Sequence, residues 1–217
     1  MRLTCLSPTQ QAILEGFKRL HYATVNQLHY WSGVTLAPVR KSLLSLQAAG
    51  YVECEKQVRP HVWKLSRTGS RLVAQPLPSG FRQPSWSVMA HTCHRNQVEM
   101  VLRKRLSSFM FLKKTALFRL GLNPSHGEHA GTQAGKIFLI LLDDYLMGSD
   151  RITKVLSRAH RKNPKYCNLN RSVNWNMVIN RYLVVTTDPH QKSLHERWIK
   201  KQNIQAELVY LPPLWAY

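Results

Sequence analysis

Few of the side chains able to hold a metal or move a proton stand close together in this sequence. Asp143 and Asp144 close the longest apolar run, IFLILL at 137–142. Adjacent carboxylates at a strand end can bind a hard cation. They can equally cap a following helix, whose positive N-terminus favours them. His126-Gly127-Glu128-His129 gathers two imidazoles and a carboxylate, but no second ligand group follows at helical spacing, so it reads as a polar turn. His91, Cys93 and His94 share a helix start, where capping and packing account for them. Cys5, Cys54, Cys93 and Cys167 form no CxxC pair, so neither structural zinc nor a disulfide framework is expected. No glycine-rich loop ends in the GK[ST] of a phosphate cradle. The expectation is a chain without metal or cofactor.

The abundant chemistry is cationic. The 217 residues carry 31 Lys+Arg against 11 Asp+Glu, a formal net charge of +20. Residues 1–75 hold 10 basic and 3 acidic residues and residues 76–217 hold 21 and 8, so the excess is no detachable tail. A compact body with that surplus repels itself unless a polyanion neutralises it, and nucleic acid is the commonest such partner. Arg151, Lys154, Arg158, Arg161, Lys162 and Lys165 recur at three- and four-residue steps. That spacing lines one helix face, continuing past its end, with positive charge. Lys113-Lys114 and Lys200-Lys201 are further pairs. Trp175, Trp198 and Trp215 read as core or interface residues.

The elements that must position these cations are legible from Ser7 onward. Ser7-Pro8 is an N-cap with proline at the first helical position, and Ile13, Leu14, Phe17 and Leu20 fall on one face. Thr24 caps a second short helix to about Tyr30, burying Val25 and Leu28, and Ser32-Gly33 breaks it. Thr35 begins a third helix whose Val39, Leu43, Leu44 and Leu46 are expected inward, with Arg40, Lys41, Ser42, Ser45 and Gln47 outward. Gly50 stops it. Two short runs, 51–54 and 62–65, then flank a basic tip containing Lys56, Gln57, Arg59 and His61, and LSRTG leads out of it. Three helices followed by a two-stranded ribbon make a winged helix-turn-helix. Its third helix fits a major groove, and its ribbon tip reaches a flanking phosphate or minor groove.

The stretch 76–87 carries three prolines and reads as a linker. It divides a winged helix-turn-helix domain, 1–75, from an α/β domain, 88–217. In the second part the expected order is a helix at 88–106 burying Val98, Val101 and Leu102, and short strands near 109–113 and 116–122. A glycine-rich turn over 123–136 and a strand at 136–146 follow. Next come a basic helix at 150–162, a short helix at 174–179, and a strand at 182–187. A helix at 189–202 and a strand at 206–211 end the series. The class is α/β (α+β), a mixed sheet between helices. No leader is visible at the start, and no stretch approaches 18 uncharged apolar residues, so a cytoplasmic location with no membrane partner is expected.

That second-half order resembles the restriction-endonuclease-like core. With the leading winged helix, the whole chain resembles the replication-relaxation family of plasmid and mobile-element proteins, which includes mobilisation proteins. Three stretches carry the likeness: the ribbon with its LSRTG exit, HTCHRNQVEMVL (91–102), and KIFLILLDDYLMGSDRITKVLSR (136–158). The resemblance implies a nuclease-like site with one acid before or on the second core strand and an acid-x-Lys on the third, holding Mg²⁺. This sequence departs from it. Tyr145 stands where lysine would follow Asp143, and Asn123-Pro124-Ser125 replaces a Pro-Asp, leaving Glu128 as the nearest carboxylate. Glu99 is a further ligand candidate.

The reading is therefore a DNA-binding protein of a mobile element without catalysis. It recognises a specific duplex site for replication, mobilisation or transcriptional control, with double-stranded DNA as partner. A homodimer and contacts with replication or transfer machinery are further expectations. Arg40, Lys41, Ser42, Ser45, Lys56, Arg59 and His61 are the expected DNA contacts in the first domain, and Arg151, Lys154, Arg158, Arg161 and Lys162 in the second. The alternative is a Mg²⁺-dependent nickase using Glu99, Glu128, Asp143 and Asp144.

Overall fold

The computed structural model describes residues 6–74, 85–120, 128–144, 178–201, 203 and 205–215. They form a mixed α+β chain. It divides into two compact units, Met1–Met100 with Leu214–Tyr217, and Val101–Pro213. Among the described residues no helix is long and apolar enough to cross a membrane.

In the first unit α1 (Pro8–Leu20) begins with a reciprocal cap between Ser7 and Gln10, and buries Ile13, Leu14, Phe17 and Leu20. A two-residue strand that the sequence pattern does not announce, β1 (Tyr22–Ala23), follows. Helix α2 (Val25–Ser32) is capped by Thr24 and Gln27 in the same reciprocal manner and stops at Gly33 in the left-handed conformation. Helix α3 (Leu36–Ala48) buries Val39, Leu43 and Leu46. Leu44 departs from expectation, being 60% exposed. At 100° per residue it sits roughly 140° around the axis from Val39, on the outer face.

The ribbon is β2 (Val52–Glu55) against β3 (Val62–Leu65), and β1 completes a three-stranded sheet in the order β1-β3-β2. Ser66 secures its exit. Its N–H donates to the Tyr51 carbonyl (3.0 Å), its hydroxyl donates to the Gly50 carbonyl (2.5 Å), and its oxygen accepts from the Gly69 N–H (3.0 Å). The last bond caps the short helix α4 (Arg67–Leu72). Gly69 has no room for a side chain, because a Cβ there would stand 1.9 Å from the Tyr51 carbonyl oxygen.

Helix α5 (Trp86–Arg105) contributes its residues up to Met100, about four turns, to this unit, whereas the sequence reading placed it in the 88–217 domain. The reason is polar. Asn96, fully buried, donates through Nδ2 to the carbonyls of Leu20 (3.1 Å) and Tyr22 (2.8 Å). Gln27 donates to the Cys93 carbonyl at 2.7 Å. Trp215 joins the same cluster, among Tyr22, Val62, Met89, Ala90 and Cys93. The stretch 76–84 lies outside the described residues.

The second unit is built on a five-stranded sheet in the order β4-β5-β6-β7-β8. Its strands are β4 (Met110–Phe111), β5 (Glu128–Gln133), β6 (Lys136–Asp143), β7 (Arg181–Thr186) and β8 (Ala206–Tyr210). The first three pair antiparallel and the last three parallel. Two expectations fail here. The expected strand 116–122 is replaced by helix α6 (Lys114–Arg119), whose Leu117 packs with Leu120 on the sheet core. The expected turn 123–136 contains strand β5, because Glu128 to Gln133 pair residue by residue with Leu141 to Lys136. Gly131 is required there, since a Cβ would meet the Phe109 ring at 2.3 Å. Helix α7 (Pro189–Lys201) lays Trp198 and Ile199 against Leu139, Leu141, Tyr182 and Val184.

Candidate nucleic-acid interface

The outer face of α3 is cationic and firmly mounted. Val39, Leu43 and Leu46 recur at four- and three-residue steps and are fully buried, so the helix has one rotational setting on α1 and α2. The opposite face then exposes Arg40, Lys41, Leu44 and Ser45, with Ser42 half-buried. Ser45 is held from α1, its oxygen accepting from Gln10 Nε2 at 3.1 Å. The other end of that amide is occupied too, Gln10 Oε1 accepting from the Ser7 N–H at 2.8 Å. Gln10 thus caps α1 and orients a side chain of α3, a role that sequence periodicity does not reveal.

The ribbon tip exposes Lys56, Gln57 and Arg59, with His61 half-buried. Its base is anchored rather than free. Val58 packs against the Tyr22–Val62–Met89 cluster, and the Trp215 indole N–H donates to the Pro60 carbonyl at 3.0 Å. Trp215 itself meets Trp86 and His94 edge-on, with ring centroids 5.0 and 5.2 Å apart. The Leu214 N–H donates to His94 Nε2 at 3.3 Å. His91, Cys93 and His94 are all buried on α5, and burial pushes the Cys93 thiol far above its ordinary pKa.

Glu99, a metal-ligand candidate from sequence, is 1% exposed and ion-paired with Arg19 in the first unit. Arg19 also stacks 4.3 Å over the Trp31 ring. Arg95 is the next charge in this cluster. Burial lowers its pKa, while Glu99 opposes that shift by attraction. A buried carboxylate without a cation is costly, and Arg19 supplies the cation, so Glu99 is accounted for as a structural tie.

In the second unit Asp143 and Asp144 stand at the carboxyl end of β6, 4% and 0% exposed. Asp143 lies opposite Thr186 of the parallel strand β7. Its Oδ2 is 2.8 Å from His195 Nε2 on α7, a residue 2% exposed and absent from the sequence expectations. The imidazole is thus the hydrogen-bonding partner of that carboxylate oxygen. Glu128 begins β5, in register with Leu141, two residues before Asp143. Among the described residues no group of three or more His, Cys, Asp or Glu side chains is arranged to hold a metal ion. Lys113, Lys200 and Lys201 are exposed. Arg151, Lys154, Arg158, Arg161 and Lys162, with Tyr145 and Trp175, lie outside the described residues.

No protein-family model and no curated protein matches this chain. Among solved structures it is similar to a chain described as "PigF with SAH", at 14% identity and a TM-score of 0.24. That comparison covers 94% of this chain, which spans 56% of the other's length. A likeness at that score says nothing about fold or activity.

Proposed function

We propose that this chain recognises a specific duplex DNA site through a winged helix-turn-helix, with α3 in the major groove and the β2–β3 ribbon as the wing. The observation that carries the reading is the exposed face of α3, where Arg40 and Lys41 stand opposite the buried Val39–Leu43–Leu46 stripe. Helix α3 is slim enough to enter a major groove, and its cations face the phosphates and base-edge acceptors found there. Lys56 and Arg59 at the ribbon tip extend the positive surface. The net charge of +20 favours a polyanionic partner over an apolar one.

The second unit is proposed as a nuclease-like domain serving support rather than bond cleavage. An antiparallel meander followed by parallel strands is the order expected of such a core. Against cleavage, Asp143 already has His195 as its partner, and the sequence puts Tyr145 where a lysine would orient an attacking water. The resemblance to replication-relaxation proteins makes origin recognition on a mobile element the leading role, with control of the element's own promoters second. Chromatin immunoprecipitation separates these two.

The test is equilibrium binding of the full chain to duplexes selected from a random pool, followed across a salt series. Arg40→Ala with Lys41→Ala is expected to cost about 1–3 kcal/mol at the selected site and to flatten the salt dependence. Unchanged affinity in that variant would remove α3 from the interface. Nicking of a supercoiled plasmid carrying the site, dependent on Mg²⁺ and abolished by Asp143→Ala, would restore the catalytic alternative.

A further inference from the structure

We propose that Leu44 reads the 5-methyl group of a pyrimidine in the major groove, making that methyl a specificity element of the recognised site. The inference rests on the DNA-recognition reading above and extends it from affinity to sequence. Leu44 is 60% exposed, the most exposed large hydrophobic side chain among the described residues. It does not trail off at a helix end. Arg40 and Lys41 lie one turn before it and Ala48 one turn after, all exposed on α3.

Residue chemistry on this face narrows what Leu44 can meet. Arg40 and Lys41 draw anionic oxygens and base-edge acceptors toward the helix. The Ser45 oxygen already accepts from Gln10, which leaves its hydroxyl proton to donate. Leu44 can offer only apolar surface, and the major groove presents one apolar group, the C5 methyl of thymine or of 5-methylcytosine. Ala37 and Ala48, both small and exposed, leave the groove floor accessible to a side chain of leucine's length. A partner protein as occupant would have to cover Leu44 while burying two flanking cations, which the charge of the face disfavours.

The experiment uses the full chain and a duplex it selects from a random pool, at one fixed salt concentration. Each thymine is replaced in turn by deoxyuridine, which deletes only the methyl, and each cytosine in turn by 5-methylcytosine. If the methyl belongs to thymine, one uracil replacement weakens wild-type binding by about 3- to 10-fold. If it belongs to a methylated cytosine, one methylation strengthens binding by a similar factor. In Leu44→Ala, or in Leu44→Gln as a second variant, that difference disappears while the site is still bound. Wild-type indifference to every replacement, or a methyl effect that persists in both variants, overturns the proposal and leaves DNA binding standing. Failure to bind any duplex overturns the reading beneath it as well.

Discussion

Arg40 and Lys41 stand exposed on α3 of the first unit and make no ion pair among the described residues. In the second unit, Asp143 lies 4% exposed at the end of β6, within 2.8 Å of the His195 imidazole. A cation left in water contributes little to holding its own fold, so its contribution is available to something outside the chain. A carboxylate removed from water must be matched internally, and once matched it is tied to the fold. The first unit follows the same logic inside, where Asn96, Gln27 and Ser66 bind backbone carbonyls and Arg19 meets Glu99. Inside this unit the Asn96 amide nitrogen, Gln27 and Ser66 are matched by backbone carbonyls, whereas Arg40 and Lys41 face water.

The comparison breaks most visibly at Gly69. Substitution by alanine forces a Cβ against the Tyr51 carbonyl, and we expect a loss of about 3 kcal/mol or more in urea denaturation, because the obstacle is backbone. An unchanged midpoint would mean the ribbon exit is not held as described. Next is the second unit's internal pair. His195→Ala strands a buried carboxylate and should cost about 3 kcal/mol, while replacing both Asp143 and His195 by leucine should recover most of it. Equal losses in the single and double variants would show that packing, not the Asp143–His195 contact, holds this end of the sheet.

A pH titration sharpens the account of the α5 contacts. Burial holds the Cys93 thiol protonated well above its ordinary range. The unfolded chain releases that proton first, so stability falls as pH rises past the ordinary thiol pKa, by about 1.4 kcal/mol per pH unit. Cys93→Ala should flatten this alkaline slope in denaturant melts at successive pH values. The smallest expected effect is that of Gln10→Ala, about 1 kcal/mol from the lost α1 cap. A few-fold drop in DNA affinity should accompany it if the Ser45 orientation matters. Affinity equal to wild type would leave Gln10 a cap alone.

Much of the first unit was legible because its signals are local. Ser7-Pro8, Thr24 and Gly33 mark helix ends, and the Ile13–Leu14–Phe17–Leu20 stripe is the buried face of α1. Leu44 was assigned inward from its hydrophobicity, although its angular position on α3 puts it outward. The strands of the second unit were less legible. Ala130–Gln133 looks like a turn by composition, and only pairing with β6 makes it a strand. Lys114–Arg119 has strand-like residues yet forms a helix, since Leu117 and Leu120 at three-residue spacing meet one core. Helix α5, which the sequence reading placed with the second domain, shows the same dependence on distant partners. Its apolar stripe was visible, but the destination of the Asn96 amide was not.

By itself the amino-acid sequence determined the caps of α1 and α2, the buried stripe of α1 and the cationic face of α3. Each of these depends on residues within four positions of one another, where helical geometry dictates who is neighbour to whom. Only the tertiary structure decided that His195 would meet Asp143 from 52 residues away, that Asn96 would bind carbonyls more than 70 residues earlier, and that Trp215 would brace the ribbon at Pro60. Those contacts depend on the path of the whole chain. Burial makes such long-range partners obligatory, because a polar group withdrawn from water must find another, and nothing in its immediate sequence says which.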